Sequence, residues 1–359
     1  MEKRFDERDI MFTRMGLKAG SERYEAYYQR CPGRKDIDDE LRSLEEMQSQ
    51  KPRKDEAMLG IHSKISKAVL QHARQSSAFA KGQAVAEEKT ELTPEEMSYL
   101  IKETAKKFGA DLVGIAEVKP NQHYTHHGRR DTYGEPIALD YRYAVVVACE
   151  LYKDLINRAP QMDTYMAAML GYAKSSTITA QLVTFIKAMG YDAMTDDHEC
   201  YYSPMVPLSY NAGLGEMGRC NMIVNPKIGN RMKTGALLTN LELIPDGPKE
   251  FGLEAFCKLC MKCADQCPVK AISHDAPQMV NGQKTYHHDE MQCMKMWIKC
   301  GGDCGMCMAV CPFSQGVDPD LIDRMRDNPE VMGKILRKHE EKHGKRAFIK
   351  GNWPFDQSS

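Results

Sequence analysis

Apolar positions along this chain change their period several times, and each change marks an element. At Thr93-Pro94-Glu95-Glu96 a threonine N-cap, a proline at the first helical position and a glutamate closing a capping box spell a helix start. Met97, Leu100, Ile101, Ala105 and Phe108 then recur at helical spacing until Gly109. Residues 112–116 and 143–149 are short continuous apolar runs, predicted as buried strands. Residues 163–189 predict one long helix, apolar on most faces and closed by Gly190. On it Tyr165, Met169, Tyr172, Ser176 and Thr179 fall on one stripe, a phenol and hydroxyls where a pocket wall could be. Further strands are predicted at 191–194, 220–224 and 234–239, giving a small sheet.

The flanks read differently. The first 90 or so residues are polar, with Phe5, Ile10, Met11, Phe12, Met15 and Leu17 as isolated anchors and Tyr24, Tyr27 and Tyr28 at helical spacing. They predict helices that wrap rather than a core, ending in a soluble helix or linker over 76–89. The C-terminal stretch carries a helix with Leu321, Ile322 and Met325 and a basic run over 334–346, a solvated face. The organisation expected is therefore a helical wrapping region (1–92), an α/β domain (93–250), a cysteine-rich module (251–315) and a helical tail (316–359).

Composition narrows the function classes. The 359 residues carry a net charge of −1 with both signs interspersed, so nothing argues for a nucleic-acid partner. No run approaches the ~18 apolar residues of a membrane span, so membrane association is expected only through a partner. The charged start Met1-Glu2-Lys3-Arg4-Phe5-Asp6-Glu7 lacks the apolar region of a signal peptide. As written the chain is expected to be cytoplasmic; an exported form whose signal was removed is the alternative.

The strongest chemical signal is the spacing of the cysteines. Cys257-x2-Cys260-x2-Cys263-x3-Cys267-Pro matches the bacterial two-cluster ferredoxin run, and Cys293-x10-Cys304-x2-Cys307-x3-Cys311-Pro follows it. In that arrangement the fourth cysteine of a run reaches the other cluster. One [4Fe–4S] cluster is then assigned Cys257, Cys260, Cys263 and Cys311, and the other Cys267, Cys304 and Cys307 with Cys293 or Cys300. Zinc knuckles need paired C-x2-C closed by a distant pair, and disulfide scaffolds belong to short secreted chains, so both fit poorly. Of the 13 cysteines, those left over, including Cys31, Cys149, Cys200 and Cys220, read as free thiols filling the core.

Two weaker signals were weighed. His123, His126 and His127 have no suitably spaced carboxylate or cysteine and read as loop residues. Gly213, Gly215 and Gly218 spell G-x-G-x-x-G, but prolines precede it, a strand follows, and no acidic residue occurs between Glu216 and Glu242. A dinucleotide site is rejected; the glycines are read as letting backbone approach another large cofactor.

The combination resembles the cobalamin-dependent reductive dehalogenases. The matching residues run from Ala212-Gly213-Leu214-Gly215-Glu216-Met217-Gly218-Arg219 through Asn225-Pro226, Gly229-Asn230-Arg231 and Leu238-Thr239-Asn240-Leu241 into both cysteine runs. The segment Cys293-Met-Lys-Met-Trp297 before Asp303-Cys304-Gly305 is similar to that family's second run and favours Cys293 over Cys300. The start is similar too, over Glu7-Arg8-Asp9-Ile10-Met11-Phe12, Tyr24 to Tyr28 and Asp38-Asp39-Glu40-Leu41-Arg42.

The resemblance implies an α+β fold: a nitroreductase-like corrinoid-binding domain, then a two-[4Fe–4S] ferredoxin domain. It implies a base-off cobalamin against Gly213, Leu214, Gly215 and Gly218, a proton-donating tyrosine at Tyr172 and its basic partner at Arg231. A position near His198 carries Asn in some relatives. Substrate and partner are expected to be a small organohalide and a low-potential electron donor: a ferredoxin, a flavodoxin or a membrane quinol-linked donor. The twin-arginine signal of respiratory members is not seen. Epoxyqueuosine reductase shares cobalamin, the glycine segment and both clusters, but Glu216 replaces its usual Trp, and Asp197 or Glu199 would have to replace its Asp. A non-catalytic ferredoxin-type carrier is the alternative of another class; it leaves ~250 residues before the clusters unexplained.

Overall fold

Thr93 Oγ1 accepts a hydrogen bond from Glu96 N at 3.2 Å, and the Glu96 carboxylate accepts from Thr93 N at 3.0 Å. The capping box therefore forms and fixes where the sheet-bearing part of the chain begins. The computed structural model describes residues 4–49, 56–119, 122–198, 201–280, 282–351 and 353. In chain order the helices are α1 (Met11–Met15), α2 (Glu22–Arg30), α3 (Lys35–Ser49), α4 (Glu56–Gly82), α5 (Pro94–Lys107), α6 (Lys153–Ile156), α7 (Met162–Ala188) and α8 (Met205–Asn211). The cysteine-rich module adds α9 (Leu253–Cys260), α10 (Lys262–Asp265), α11 (Glu290–Cys300), α12 (Met306–Ala309) and α13 (Pro312–Gln315). The strands used below are β1 (Leu112–Glu117), β2 (Tyr143–Glu150), β3 (Ala193–Asp196), β4 (Glu216–Met217), β5 (Ile223–Val224) and β6 (Met232–Thr239).

Four strands form one sheet in the order β1-β2-β6-β3, with every pair antiparallel. Its centre is β2, whose unbroken apolar run is explained by two covered faces. Tyr143, Val145, Val147 and Cys149 pack with Ile178, Leu182 and Ile186 of α7 and Met97 and Ile101 of α5. The alternate residues Ala144, Val146 and Ala148 pack with Leu208 of α8, Ala212 and Leu214. An antiparallel sheet layered between helices and followed by a helical, cysteine-rich module is an α+β fold.

Two expected strands are corrected. The one placed at 191–194 begins two residues later, because Gly190 (φ 88°) closes α7 and Tyr191 N still donates to Ile186 O. The one placed at 220–224 shrinks to β5, which pairs only with β4 in a hairpin apart from the main sheet. Asn221, in the left-handed region at φ 54°, makes the hairpin tip and leaves no room for a longer ladder.

The wrapping region is packed. Helix α4 lies along α7, and Lys187 Nζ caps its C-terminus by donating to the carbonyls of Ala80, Lys81 and Gln83 at 3.1–3.2 Å. Residues 4–49 are pinned by a buried Arg14–Asp38 pair at 3.0 Å, with Tyr28 Oη donating to the same carboxylate at 2.9 Å. They close over α11: Arg14 reaches Glu290 at 3.1 Å, Lys295 reaches Glu40 at 2.8 Å, and the Phe12 and Trp297 rings lie 5.2 Å apart. Among the described residues no helix is long and apolar enough to cross a membrane.

Candidate active site

The two cysteine runs are carried on short helices and the turns between them. Cys257 and Cys260 end α9, Met261 turns the chain at φ 52°, and Cys263 follows on α10. Cys311 caps α13 and lines the same small cavity as these three, together with Cys220 and Cys307. In the second set, burial and then Cys304 and Cys267 act on Cys293, and burial and then Cys220, Cys304, Cys293 and Cys267 act on Cys307. Cys300 also approaches this set, bonded to the Cys304 sulfur. Ala271 N donates to Cys267 Sγ at 3.2 Å, the amide-to-sulfur contact that cluster ligands receive. Burial pushes the Cys260 and Cys293 thiols up to about 11 and Cys311 to about 12, so binding iron must displace protons. Among the described residues no three Cys, His, Asp or Glu side chains converge on a point where one ion would sit. A cubane spreads its ligands over separate irons, and this donor set fits two of them.

In the glycine segment, a Cβ at Gly213 (φ 70°) and Gly215 (φ 156°) would lie 2.6 Å from Gly247 O and 2.3 Å from Val224 O, and at Gly218 one would lie 2.7 Å from Val224 Cγ2. Leu214 is in the core. The chain's own atoms therefore already require small residues at these three positions. Glu216 Oε1 accepts from the backbone N–H groups of Phe251, Gly252 and Leu253, so its charge caps the helix that carries Cys257 and Cys260. Arg219, fully buried, donates to the carbonyls of Cys257, Ser273 and Asp275 at 2.8–3.2 Å.

A second polar cluster forms where α7 meets the edge of the sheet. Tyr165, Met169 and Tyr172 stay half-buried on a helix whose other residues are mostly buried. The His198 ring stacks on Tyr172 at 5.2 Å and 27°, and Ser176 Oγ lies 2.7 Å from His198 Nδ1. Lys233 of β6 places Nζ 4.2 Å from the Tyr172 ring centroid, over its face. Burial works to lower the Lys233 ammonium, but the charges of Tyr172 and then Asp303 outweigh it and leave it raised. Asp303 is buried beside Cys304, so this cluster adjoins the second cysteine set. Gly171 makes room: a Cβ there would lie 2.4 Å from Leu151 Cδ2 and 2.9 Å from Lys233 Cγ.

Arg231 is not the cation at the phenol. Its guanidinium donates to Ser314 O and Leu151 O, each at 2.7 Å, and pairs with Glu150 at 2.7 Å, joining the sheet to the α13 loop. Lys233 is the cation lying over the Tyr172 ring. Arg231 and Lys233 are two apart on one strand run and share a face, so a period-two pattern signals a cation there without choosing between them. Tyr201 carried no sequence signal, and Asp303 entered only as part of the second cysteine run. Of the carboxylates weighed for the other reductase, Asp197 is buried and accepts from Ser77 and Thr179 at 3.1 and 3.4 Å, and Glu199 lies outside the described residues. A cavity of about 700 Å³ is lined by Leu170, Gly171, Lys174 and Ile178 of α7, and Tyr172 is not among its lining residues.

A family model described as a 4Fe-4S dicluster domain matches residues 256–315. The tetrachloroethene reductive dehalogenase of Dehalobacter restrictus (strain DSM 9455 / PER-K23) is 28% identical over 269 residues, 62% of this chain and 48% of that protein. The epoxyqueuosine reductase of Lactococcus garvieae (strain Lg2) is 29% identical over 166 residues, 41% of this chain and 44% of that protein. A solved structure of a B12-dependent reductive dehalogenase superposes with a TM-score of 0.70 at 26% identity, covering 78% of this chain and 41% of that one. The chain spans about half the length of the curated relatives it matches.

Proposed function

The chain is a relative of the cobalamin-dependent reductive dehalogenases, and from that premise we propose that it removes halogen reductively from a small organohalide. Two [4Fe–4S] clusters and a corrinoid, when bound, supply electrons one at a time and the centre at which a carbon–halogen bond breaks. Cys257, Cys260, Cys263 and Cys311 hold one cluster, and Cys267, Cys293, Cys304 and Cys307 the other. Electrons come from a low-potential donor such as a ferredoxin, a flavodoxin or a quinol-linked membrane partner.

The chain's own part is proton delivery. Carbon that loses halide needs a proton, and Tyr172 Oη holds one on a face left half-buried. The ammonium of Lys233 stabilises the phenolate that remains. His198, fixed by Ser176, holds the ring by stacking. The observation that carries the reading is this phenol–ammonium pair adjoining Asp303 and the second cysteine set. Of the two carboxylates the epoxyqueuosine reductase reading offers, Asp197 is buried and hydrogen-bonded to Ser77 and Thr179, and Glu199 lies outside the described residues. Reconstituted protein assayed against a panel of chlorinated alkenes and halogenated aromatics tests the dehalogenase reading. Halide release that requires both iron and corrinoid is expected. A spectrum with cluster bands, no corrinoid band after loading and no halide release would leave the electron-carrier alternative instead.

A further inference from the structure

The basic run of the C-terminal tail is folded against the first cysteine set. Two helices follow the cysteine module, α14 (Pro319–Met325) and α15 (Pro329–His343), and the second holds most of the run. Val331, Met332 and Ile335 of α15 share one core with Phe256 of α9 and Phe313 of α13, and Cys257, Cys260 and Cys311 pack against that same core. The other side of α15 leaves Lys334, Arg337, Lys338 and Lys342 exposed, with Lys334, Lys338 and Lys342 at four-residue spacing. Among the described residues none of these cations is in a salt bridge, although like charges at that spacing repel. Of the nearby glutamates, Glu341 falls within the stripe and Glu340 outside it, so the stripe keeps a positive excess. A cavity of about 220 Å³ borders the stripe, lined by Lys338, His339 and Lys342 and by Pro312, the residue after Cys311. Lys153 Nζ donates at 2.5 Å to the carbonyl of Gln315, part of the same wall.

The two cysteine sets differ in what covers them. The second adjoins the Tyr172–Lys233 cluster through Asp303, and α11 with Cys293 lies under residues 4–49. The first is covered by α15, whose outer face is a row of unpaired cations. We infer that this face of α15 is the docking surface for the electron donor, and that the donor is a carrier protein with an acidic face around its own low-potential centre. Charge complementarity of this kind steers encounter and fixes orientation while leaving the contact weak enough to dissociate after one transfer. In each encounter the carrier is oxidised by one electron and the cluster held by Cys257, Cys260, Cys263 and Cys311 is reduced by one. The inference rests on the function proposed above, which requires such a donor.

Full-length protein is reconstituted anaerobically as wild type and as a triple variant, Lys334→Glu with Lys338→Glu and Lys342→Glu. Each is mixed in a stopped flow with a fully reduced acidic flavodoxin, whose semiquinone band reports each electron given up. Transfer to wild type is expected to slow steeply as salt rises. The triple variant should be slower by roughly tenfold or more at low salt and nearly indifferent to salt. A small reductant, photoreduced deazaflavin, needs no docking surface and should reduce both proteins at one rate, with equal iron content. Lys106→Glu with Lys107→Glu, exposed on α5, is expected to match wild type. Equal rates from flavodoxin to wild type and the triple variant overturn the docking site. An equal loss in the α5 pair overturns it too, by reducing the effect to net charge. Wild type that ignores flavodoxin but binds phosphatidylglycerol vesicles through the same lysines would make this face a membrane contact instead. Salt-sensitive transfer at α15 in a protein that releases no halide would sink the proposed function and leave the docking surface standing.

Discussion

Tyr172 and Lys233 face one another across a gap that Gly171 keeps open, and the three residues separate chemistry from structure. Tyr172→Phe removes one hydroxyl, at a stability cost of about 1 kcal/mol. Turnover should fall roughly 10²-fold, the usual scale for loss of a general acid, with cofactor content unchanged. Near-normal dehalogenation by a fully loaded Tyr172→Phe enzyme would remove the acid from this position. Arg231→Leu should behave differently from Lys233→Met. It leaves two buried carbonyls and Glu150 without their donor, and should cost about 2–3 kcal/mol in denaturant unfolding, the Glu150 arm counting little because that carboxylate is more than a third exposed. Lys233→Met should keep its unfolding midpoint closer to wild type and lose turnover. Arg231 was named by the family resemblance alone, and only its packing against Leu151 and Ser314 shows that it turns to the backbone.

Asp196, in the same region, carries a pH signature. Burial, reinforced by the charge of Asp197, pushes its carboxyl up to about 7 despite hydrogen bonds from Tyr202 N and Ser203. A carboxyl raised on folding contributes stability that is fully present below the unfolded value near 4 and is lost as pH rises through about 7. Asp196→Asn should therefore flatten the fall in stability between pH 4 and pH 7 in urea unfolding. A variant and wild type with parallel pH profiles would show that Asp196 is not the group responsible.

At the scale of elements, what repeats locally was readable and what depends on a neighbour was not. The capping box, α5, α7 and the central strands follow from period and end signals carried within each segment. Thr93→Ala should cost about 1 kcal/mol, measurable as a lowered midpoint, since it removes the cap and half the box. The strand expected at 220–224 is one arm of the β4–β5 hairpin, and the atoms packed closest on Gly213 and Gly215, Gly247 O and Val224 O, are set by chain reversals that no window of sequence shows. Gly305 is another such contact: at φ 65° its Cβ would lie 2.3 Å from Thr164 Cγ2. Gly305→Ala should loosen the second cysteine set against α7, and chelator challenge should strip its iron several-fold faster than from wild type.

For the whole molecule the first expectation is about eight irons per chain, as two cubanes require. Cys293→Ser should lose about half of them and Cys300→Ser should not; the reverse result by iron analysis would exchange the two assignments. The wrapping region was legible as helices with isolated apolar anchors, but its destination was not, because its partners lie far along the chain: Arg14 and Glu290 are 276 positions apart. That separation also sets a timetable. At ~5–20 residues per second a ribosome takes roughly 14–55 s to travel it. Residues 4–49 can first close on the 123–137 loop, through Arg4 and Glu7, and only later on α11, with Lys295 and Trp297. The seat against α11 therefore forms after the one against the loop, which leaves an interval in which the newborn cysteine module is open to whatever delivers its iron and sulfide.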